Sequence, residues 1–357
     1  MKLKFVLLLF ILLPCLFFEI QAQAPYALPF LIASPDARGA GMGETGTAIA
    51  DNINASFWNP AGLGFLRKTQ VGKSSTIYFE SSENVMIYPN LSNSSKSLIT
   101  STNGIYVKPL GGTIAIDYTL ENIGEFTRIF ENGAPAGKFN SSEYSIGFTY
   151  GAGIGENLAL GAKLKFIGSN PGPYRLNSEN YTTFGVDLGM LWYPNITTGT
   201  KVLGNKFLAF GLALQNMGPK LTYINESEPL PTNLRIGSAM KLTFSNENTL
   251  TIAIDENKIL VNRDSLGSDP FPKNIYSSWE KPFDWCTGIG AEFSHDRTVF
   301  LRAGYYSEPR SMGDRSYITV GASVRVFIFQ GDVSYAISDG TTKLYSNVLR
   351  IGLRIGG

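Results

Sequence analysis

The sequence predicts an all-β protein: a transmembrane antiparallel β-barrel of about 14 strands with an N-terminal plug segment in its lumen. Three observations carry that prediction. The chain opens on a secretory leader, many later segments alternate residue by residue between apolar and small or polar side chains, and the connections between them alternate in length. Composition agrees, because only 17% of the 357 residues are charged while 43% are hydrophobic and 38 are glycine. That balance disfavours both a disordered chain and a cytosolic enzyme.

The leader comes first. Lys2 and Lys4 precede an apolar run from Phe5 to Phe18 that Pro14 interrupts and Glu19 ends. The run is shorter than the about 20 apolar residues that a spanning helix needs, so it reads as a cleaved signal. Pro25 is a poor residue after a scissile bond, which places cleavage after Ala22 and makes residues 1–22 the signal peptide. Cys15 lies before that point, so no lipid anchor is expected. Cys286 is then the one remaining cysteine and no internal disulfide can form. Removing the leader leaves 28 basic and 28 acidic side chains. A neutral chain has no excess charge with which to bind a phosphate backbone, so no nucleic-acid partner is expected.

Residues 23–66 form the second segment and do not alternate. They are rich in Gly, Ala and turn residues, with Asp51, Asn52 and Asn54 at capping or turn positions and a short helix expected around Thr45–Ala50. Gly41-Met-Gly-Glu-Thr-Gly46 spells G-x-G-x-x-G. However, Pro35, Asp36 and Arg38 precede it where a buried strand should be, and residues 60–66 contain no acid for a ribose. Close backbone packing explains these glycines better than a dinucleotide does.

Residues 67–357 carry the barrel. Tyr144, Ile146, Phe148 and Tyr150 share one face while Glu143, Ser145, Gly147 and Thr149 share the other, which is the period of a strand. The same pattern places strands near 68–80, 101–109, 112–120, 143–151, 157–167, 181–193, 206–216, 232–244, 249–256, 284–295, 298–307, 316–328, 329–338 and 345–355. A soluble sandwich would also alternate, but strands of about 10 residues match a tilted bilayer crossing. Connections are short at 110–111, 152–156, 245–248 and 296–297, and long at 81–100, 121–142, 168–180, 217–231 and 257–283, the rhythm of inner turns and outer loops. Trp192, Tyr193 and Trp285 suit the aromatic girdles. Ala209, Gly211 and Ala213 make a small inner face that something inside the barrel should fill.

Catalytic and metal chemistry are not indicated. His295 is the one histidine, and its neighbours Ser294 and Asp296 are consecutive in sequence, so they cannot converge as a triad. One His and one Cys cannot build a usual zinc site. Asp255-Glu256 reads as a strand end and not as an acid/base pair. No cofactor is expected. Within the lumen, Asp36 and Arg38 stand two apart, so in an extended segment they would face the same way and meet lumen charges such as Lys163, Lys165, Asp187 or Arg325.

The run Phe30-Leu-Ile-Ala-Ser-Pro-Asp-Ala-Arg-Gly-Ala-Gly-Met-Gly43, with Ala50-Asp51 and Ala55-Ser-Phe-Trp-Asn-Pro-Ala-Gly62, resembles the opening of the PorV/PorQ family of outer-membrane proteins. Gln215-Asn-Met-Gly-Pro-Lys220, Pro229-Leu-Pro231 and Leu234-Arg-Ile-Gly237 resemble a second family block. The resemblance spans essentially the whole chain after the leader. It implies a FadL-like barrel of 14 strands in the bacterial outer membrane, with the N-terminal segment in the lumen and Asp36, Arg38, Trp58, Asn59 and Pro60 among the plug residues. It also implies service in type IX secretion, with secreted cargo bearing a C-terminal sorting domain, other secretion components of the outer membrane, and membrane lipid as partners. Gly62-Leu-Gly-Phe65 is the generic form shared with FadL-like proteins, so membership is better marked than a cargo-shuttling role. The rival reading is a FadL-like transporter of hydrophobic small molecules. For partner binding, Phe271, Tyr276, Trp279 and Phe283 in loop 257–283 are candidate anchors, because exposed aromatic side chains favour interfaces.

Overall fold

A computed structural model describes residues 26–66, 79–88, 96–130, 132–174, 177–178, 180–196, 206–224, 226–245, 247–264, 267–280, 284–338 and 347–356. Fourteen strands form one closed antiparallel barrel. They are β1 (Phe79–Ile87), β2 (Ser97–Val107), β3 (Gly112–Ile129), β4 (Pro135–Ile154), β5 (Leu158–Asn170), β6 (Tyr181–Trp192) and β7 (Leu208–Met217). β8 (Asn233–Thr243), β9 (Asn248–Ile259), β10 (Cys286–His295), β11 (Val299–Ser307), β12 (Ser316–Val326), β13 (Phe329–Ser338) and β14 (Leu349–Gly356) complete the wall. Each strand pairs with the next in sequence. β14 returns to β1 in a register that runs from Glu80↔Gly356 to Ile87↔Leu349, leaving no open edge at membrane depth.

Alternation decides what each face meets. Along β6, Phe184, Leu188 and Trp192 are exposed while Thr183, Asp187 and Leu191 are buried. Along β12, Ile318, Val320 and Val324 are exposed while Thr319 and Ser323 are buried. The outer wall is therefore apolar and the inner one small and polar, the inverse of a soluble core and the arrangement of a barrel in lipid. No helix among the described residues is long and apolar enough to cross a membrane.

Several expected boundaries change. The first barrel strand is Phe79–Ile87 and not 68–80; residues 68–78 lie outside the described residues, as does the leader. The proposed loop 81–100 gives both of its ends to β1 and β2. Loop 121–142 is mostly sheet: β3 and β4 pair from Gly112↔Ala152 up to Ile129↔Pro135, with irregularities after Asn122 and Thr127. Pairing of β2 with β3 ends at Asn122 and pairing of β5 with β4 ends at Ser142, so the last part of this hairpin pairs only with itself.

The N-terminal segment is built of short turns of helix. Two α-helical turns, α1 (Ala37–Gly41) and α2 (Ala55–Trp58), are followed by a 3-10 turn at Pro60–Phe65. Helix does not form at Thr45–Ala50. Gly43 and Glu44 just before that stretch have positive φ of 69° and 64°, which turns the chain away from a right-handed helix.

Candidate functional site

The N-terminal segment lies against the inward faces of the strands. At one end, Leu28, Phe30 and Leu31 pack in an apolar cluster with Met86, Leu98, Ile167, Leu221, Leu230 and Val348, beside the long connections. Its other end reaches the short turns, where Phe65 stacks edgewise on Tyr193 at 5.0 Å. Residues 27–66 thus run the height of the barrel.

Where the segment's backbone crosses the wall, the wall is glycine. A Cβ on Gly288, Gly290 or Gly304 would collide with Met42 or Gly43, one on Gly211 or Gly237 with Thr47, and one on Gly161 or Gly189 with Asn59 or Pro60. This is the packing that the small face at Ala209, Gly211 and Ala213 required. It also accounts for the G-x-G-x-x-G string, whose Gly43 holds a left-handed conformation between the carbonyls of Ile289 and Tyr305.

The side chains singled out in the sequence come together here, in a different arrangement from the one expected. Asp36 begins a helix instead of lying in an extended segment: it caps α1 through Gly39 N (3.3 Å) and also accepts from Trp58 Nε1 (3.0 Å) and Asn54 Nδ2 (3.0 Å). All three donors are neutral and belong to its own segment. Arg38 is hydrogen-bonded to none of Lys163, Lys165, Asp187 or Arg325. It donates to both carboxylate oxygens of Glu292 at 3.0 and 2.9 Å and pairs with Asp51. Glu292 in turn accepts from Arg302 at 2.6 Å, and Arg302 reaches Asp332 at 3.2 Å.

Trp58 is buried, with its indole over the Arg235 guanidinium at 4.8 Å and against the faces of Gly39 and Gly46. Asn59 donates to Thr47 O (3.0 Å) and Met190 O (2.9 Å) and accepts from Ala61 N (3.2 Å), so one carboxamide ties two parts of the segment to β6. Pro60 follows, packed on Gly161 of β5 and Gly189 of β6.

Sequence reasoning missed the main anchor on the wall. Asp255 lies in mid-strand on β9, fully buried, not at a strand end. Its Oδ2 accepts from Gly46 N (2.9 Å), Thr47 N (2.9 Å), Thr47 Oγ1 (2.6 Å) and Arg235 (3.1 Å). Glu256 faces the other way, toward Thr287. Strand parity held the signal, since Arg235 sits between outward Leu234 and Ile236, and Asp255 follows outward Ile254. The predicted lumen charges Lys163 and Lys165 are paired, with Asp117 and Asp187 respectively, each at 2.8 Å. Arg325 donates to Gln330 at 3.0 Å.

At the long-connection rim, Tyr276 is 72% exposed, and Phe271 and Trp279 are also open to solvent. Phe283 lies outside the described residues. Trp279 and Trp285 meet edgewise at 6.2 Å, with Lys258 Nζ within 5.4 and 5.8 Å of their rings. The rim therefore presents fixed aromatic surface. His295 ends β10 in a polar turn, its Nδ1 3.0 Å from Asn248 Oδ1. Among the described residues no cluster of His, Cys, Asp and Glu could hold a metal ion.

Solved structures share this architecture. The CymD monoaromatic hydrocarbon channel is 12% identical with a TM-score of 0.54, over 91% of this chain and 98% of that one. The TodX deltaS2S3 mutant monoaromatic hydrocarbon channel is also 12% identical, with a TM-score of 0.53 over 89% and 96%. The TodX monoaromatic hydrocarbon channel deltaS2 mutant is 13% identical with a TM-score of 0.52 over 95% and 97%. At these identities the likeness concerns the fold alone. No curated protein matches the sequence. The family described as type IX secretion system protein PorV matches residues 21–265, from before the lumen segment to past β9. The chain belongs to the PorV family.

Proposed function

We propose that this chain is a non-enzymatic barrel of the bacterial outer membrane that serves type IX secretion by binding secreted cargo, or a partner barrel, at its long-connection rim. The observation that carries the reading is the lumen. The Arg38–Glu292 ion pair ties the segment to β10, and hydrogen bonds at Ser56, Asn59 and Thr47 tie it to β3, β5, β6, β8 and β9. A lumen occupied by the N-terminal segment and by paired charges favours recognition at the rim over passage of solutes. The segment then acts as a plug, and Asp36, Arg38, Trp58, Asn59 and Pro60 keep it seated. The exposed rim supplies Phe271, Tyr276 and Trp279 as anchors for a β-rich sorting domain.

Transport of hydrophobic small molecules is the rival reading, and the hydrocarbon channels of similar fold give it a precedent. It calls for an apolar path through the wall, whereas the inner face against residues 36–61 is built mainly of charged, polar and small side chains, and its apolar cluster near the long connections is packed on Leu28, Phe30 and Leu31. Affinity capture from gently solubilised outer membranes separates the two. The full chain should retain secreted proteins that share a C-terminal β-domain, and a form lacking residues 261–283 should assemble yet lose them. Capture that is unchanged by the deletion contradicts rim binding, and a barrel recovered alone with lipid in its lumen supports transport.

A further inference from the structure

Among the described residues, the β1–β2 part of the lipid-facing wall carries a polar block in mid-strand that does not belong in lipid. On β1 the outward positions are Phe79, Ser81, Glu83, Val85 and Ile87, and on β2 they are Ser97, Ile99, Ser101, Asn103 and Ile105. Glu83 pairs across the strands with Ser101, and Ser81 with Asn103, so four polar side chains form a contiguous two-by-two patch. Ser101 Oγ donates to Glu83 Oε1 at 2.6 Å and Asn103 Nδ2 donates to Ser101 Oγ at 3.2 Å, all on the exposed face.

The patch lies at mid-depth. Glu83 is the central residue of β1, with exposed Phe79 and Ile87 at the strand's two ends. In register with Glu83 on β14 is Leu353, and Ser101 has Tyr118 beside it on β3. From Glu83 to either end of β1 is four residues, about 13 Å along the strand, beyond the reach of a glutamate side chain to the headgroups. Elsewhere the outward rows read Ile114, Ile116 and Tyr118, or Phe184, Val186, Leu188 and Met190, or Ile351, Leu353 and Ile355. An ionisable residue at this depth calls for a protein partner.

We infer that the β1–β2 wall is a lateral docking face for a second membrane protein that presents a hydrogen-bond donor, an arginine or lysine, from its own lipid-facing surface. The direction of the hydrogen bonds sets that chemistry. Asn103 donates to Ser101 and Ser101 to Glu83, so the chain of donors ends on a carboxylate, which accepts from outside. Ser81 and Ser101 are small and allow the two walls to approach closely. A second copy of this chain fits less well. A two-fold axis along the membrane normal through this patch would bring Glu83 of each copy to the same height with no cation between them. The inference rests on the barrel's spanning the membrane and is independent of what the rim binds.

Photo-crosslinking in cells tests it, with the reactive group at Asn103 and, as a control on the apolar wall, at Val320. The expected product at Asn103 is a discrete adduct with one integral membrane protein, mapped to a basic residue within a spanning segment and absent at Val320. Glu83→Leu should assemble normally by heat-modifiable migration and lower the adduct about tenfold, the equivalent of one membrane-embedded hydrogen-bonded contact of 1–2 kcal/mol. Glu83→Gln should retain more of it than Glu83→Leu. Lipid-only labelling, the same products at both positions, or an adduct confined to a second copy of this chain each overturn the proposal.

Discussion

The Arg38–Glu292 contact shows how one residue fixes the lumen segment. A bidentate guanidinium–carboxylate pair is directional as well as strong, and here it joins α1 to β10 across a sequence separation of 254 residues. Replacing Arg38 with Glu sets a third carboxylate against Glu292 and Asp51 and leaves Arg302 as the nearer cation. Breaking a buried pair in this way costs about 3–5 kcal/mol. The expected outcome is a barrel that still assembles but whose N-terminal segment becomes protease-sensitive and whose bilayer conductance rises; unchanged conductance and protection would remove the plug from the account. At the rim, Tyr276→Ala and Trp279→Ala should each weaken partner capture by about 2 kcal/mol without changing heat-modifiable migration, which a capture titration measures.

Among the elements, the wall glycines on β10 and β11 do what no larger residue can. Gly290→Val places its branched side chain against Met42 and its carbonyl. The strand can keep its ladder, so the segment must shift. Limited proteolysis should then cut between residues 36 and 50 in the variant and not in the parent protein. The β3–β4 hairpin is the other distinctive element. Its part beyond Asn122 and Ser142 has exposed Phe126, Ile129 and Phe130 and a stacked Phe126–Phe139 pair at 5.7 Å. Removing residues 124–140 should leave the closure between β1 and β14 intact, as read from an unchanged thermal unfolding midpoint of the reconstituted barrel.

Legibility from sequence followed the physics of each region. Inside the membrane each strand has one face in lipid and one in the lumen, so Phe184-Gly-Val-Asp-Leu188 reads as a strand without ambiguity. Beyond the membrane both faces of β3 and β4 are wet. Glu125-Phe-Thr-Arg128 loses the alternation and was expected as loop. The lumen segment was recognisable as a distinct block because it does not alternate. Its path was not legible, because it is set by contacts to residues up to some 300 positions away, such as Glu44 with Arg350. Asp255 was misassigned because an acid beside Glu256 looks like a strand end until their opposite faces are separated.

For the whole molecule, a closed sheet removes every edge and an apolar outer wall matches lipid; under the proposed function, with the lumen filled, cargo is bound at the rim. The most direct measurement is equilibrium binding of a purified C-terminal sorting domain to the reconstituted barrel, with solute leakage followed in the same vesicles. Saturable binding that the loss of residues 261–283 abolishes, with no leakage in either form, is the predicted result. Absent binding, together with facilitated entry of a hydrophobic solute, would contradict it.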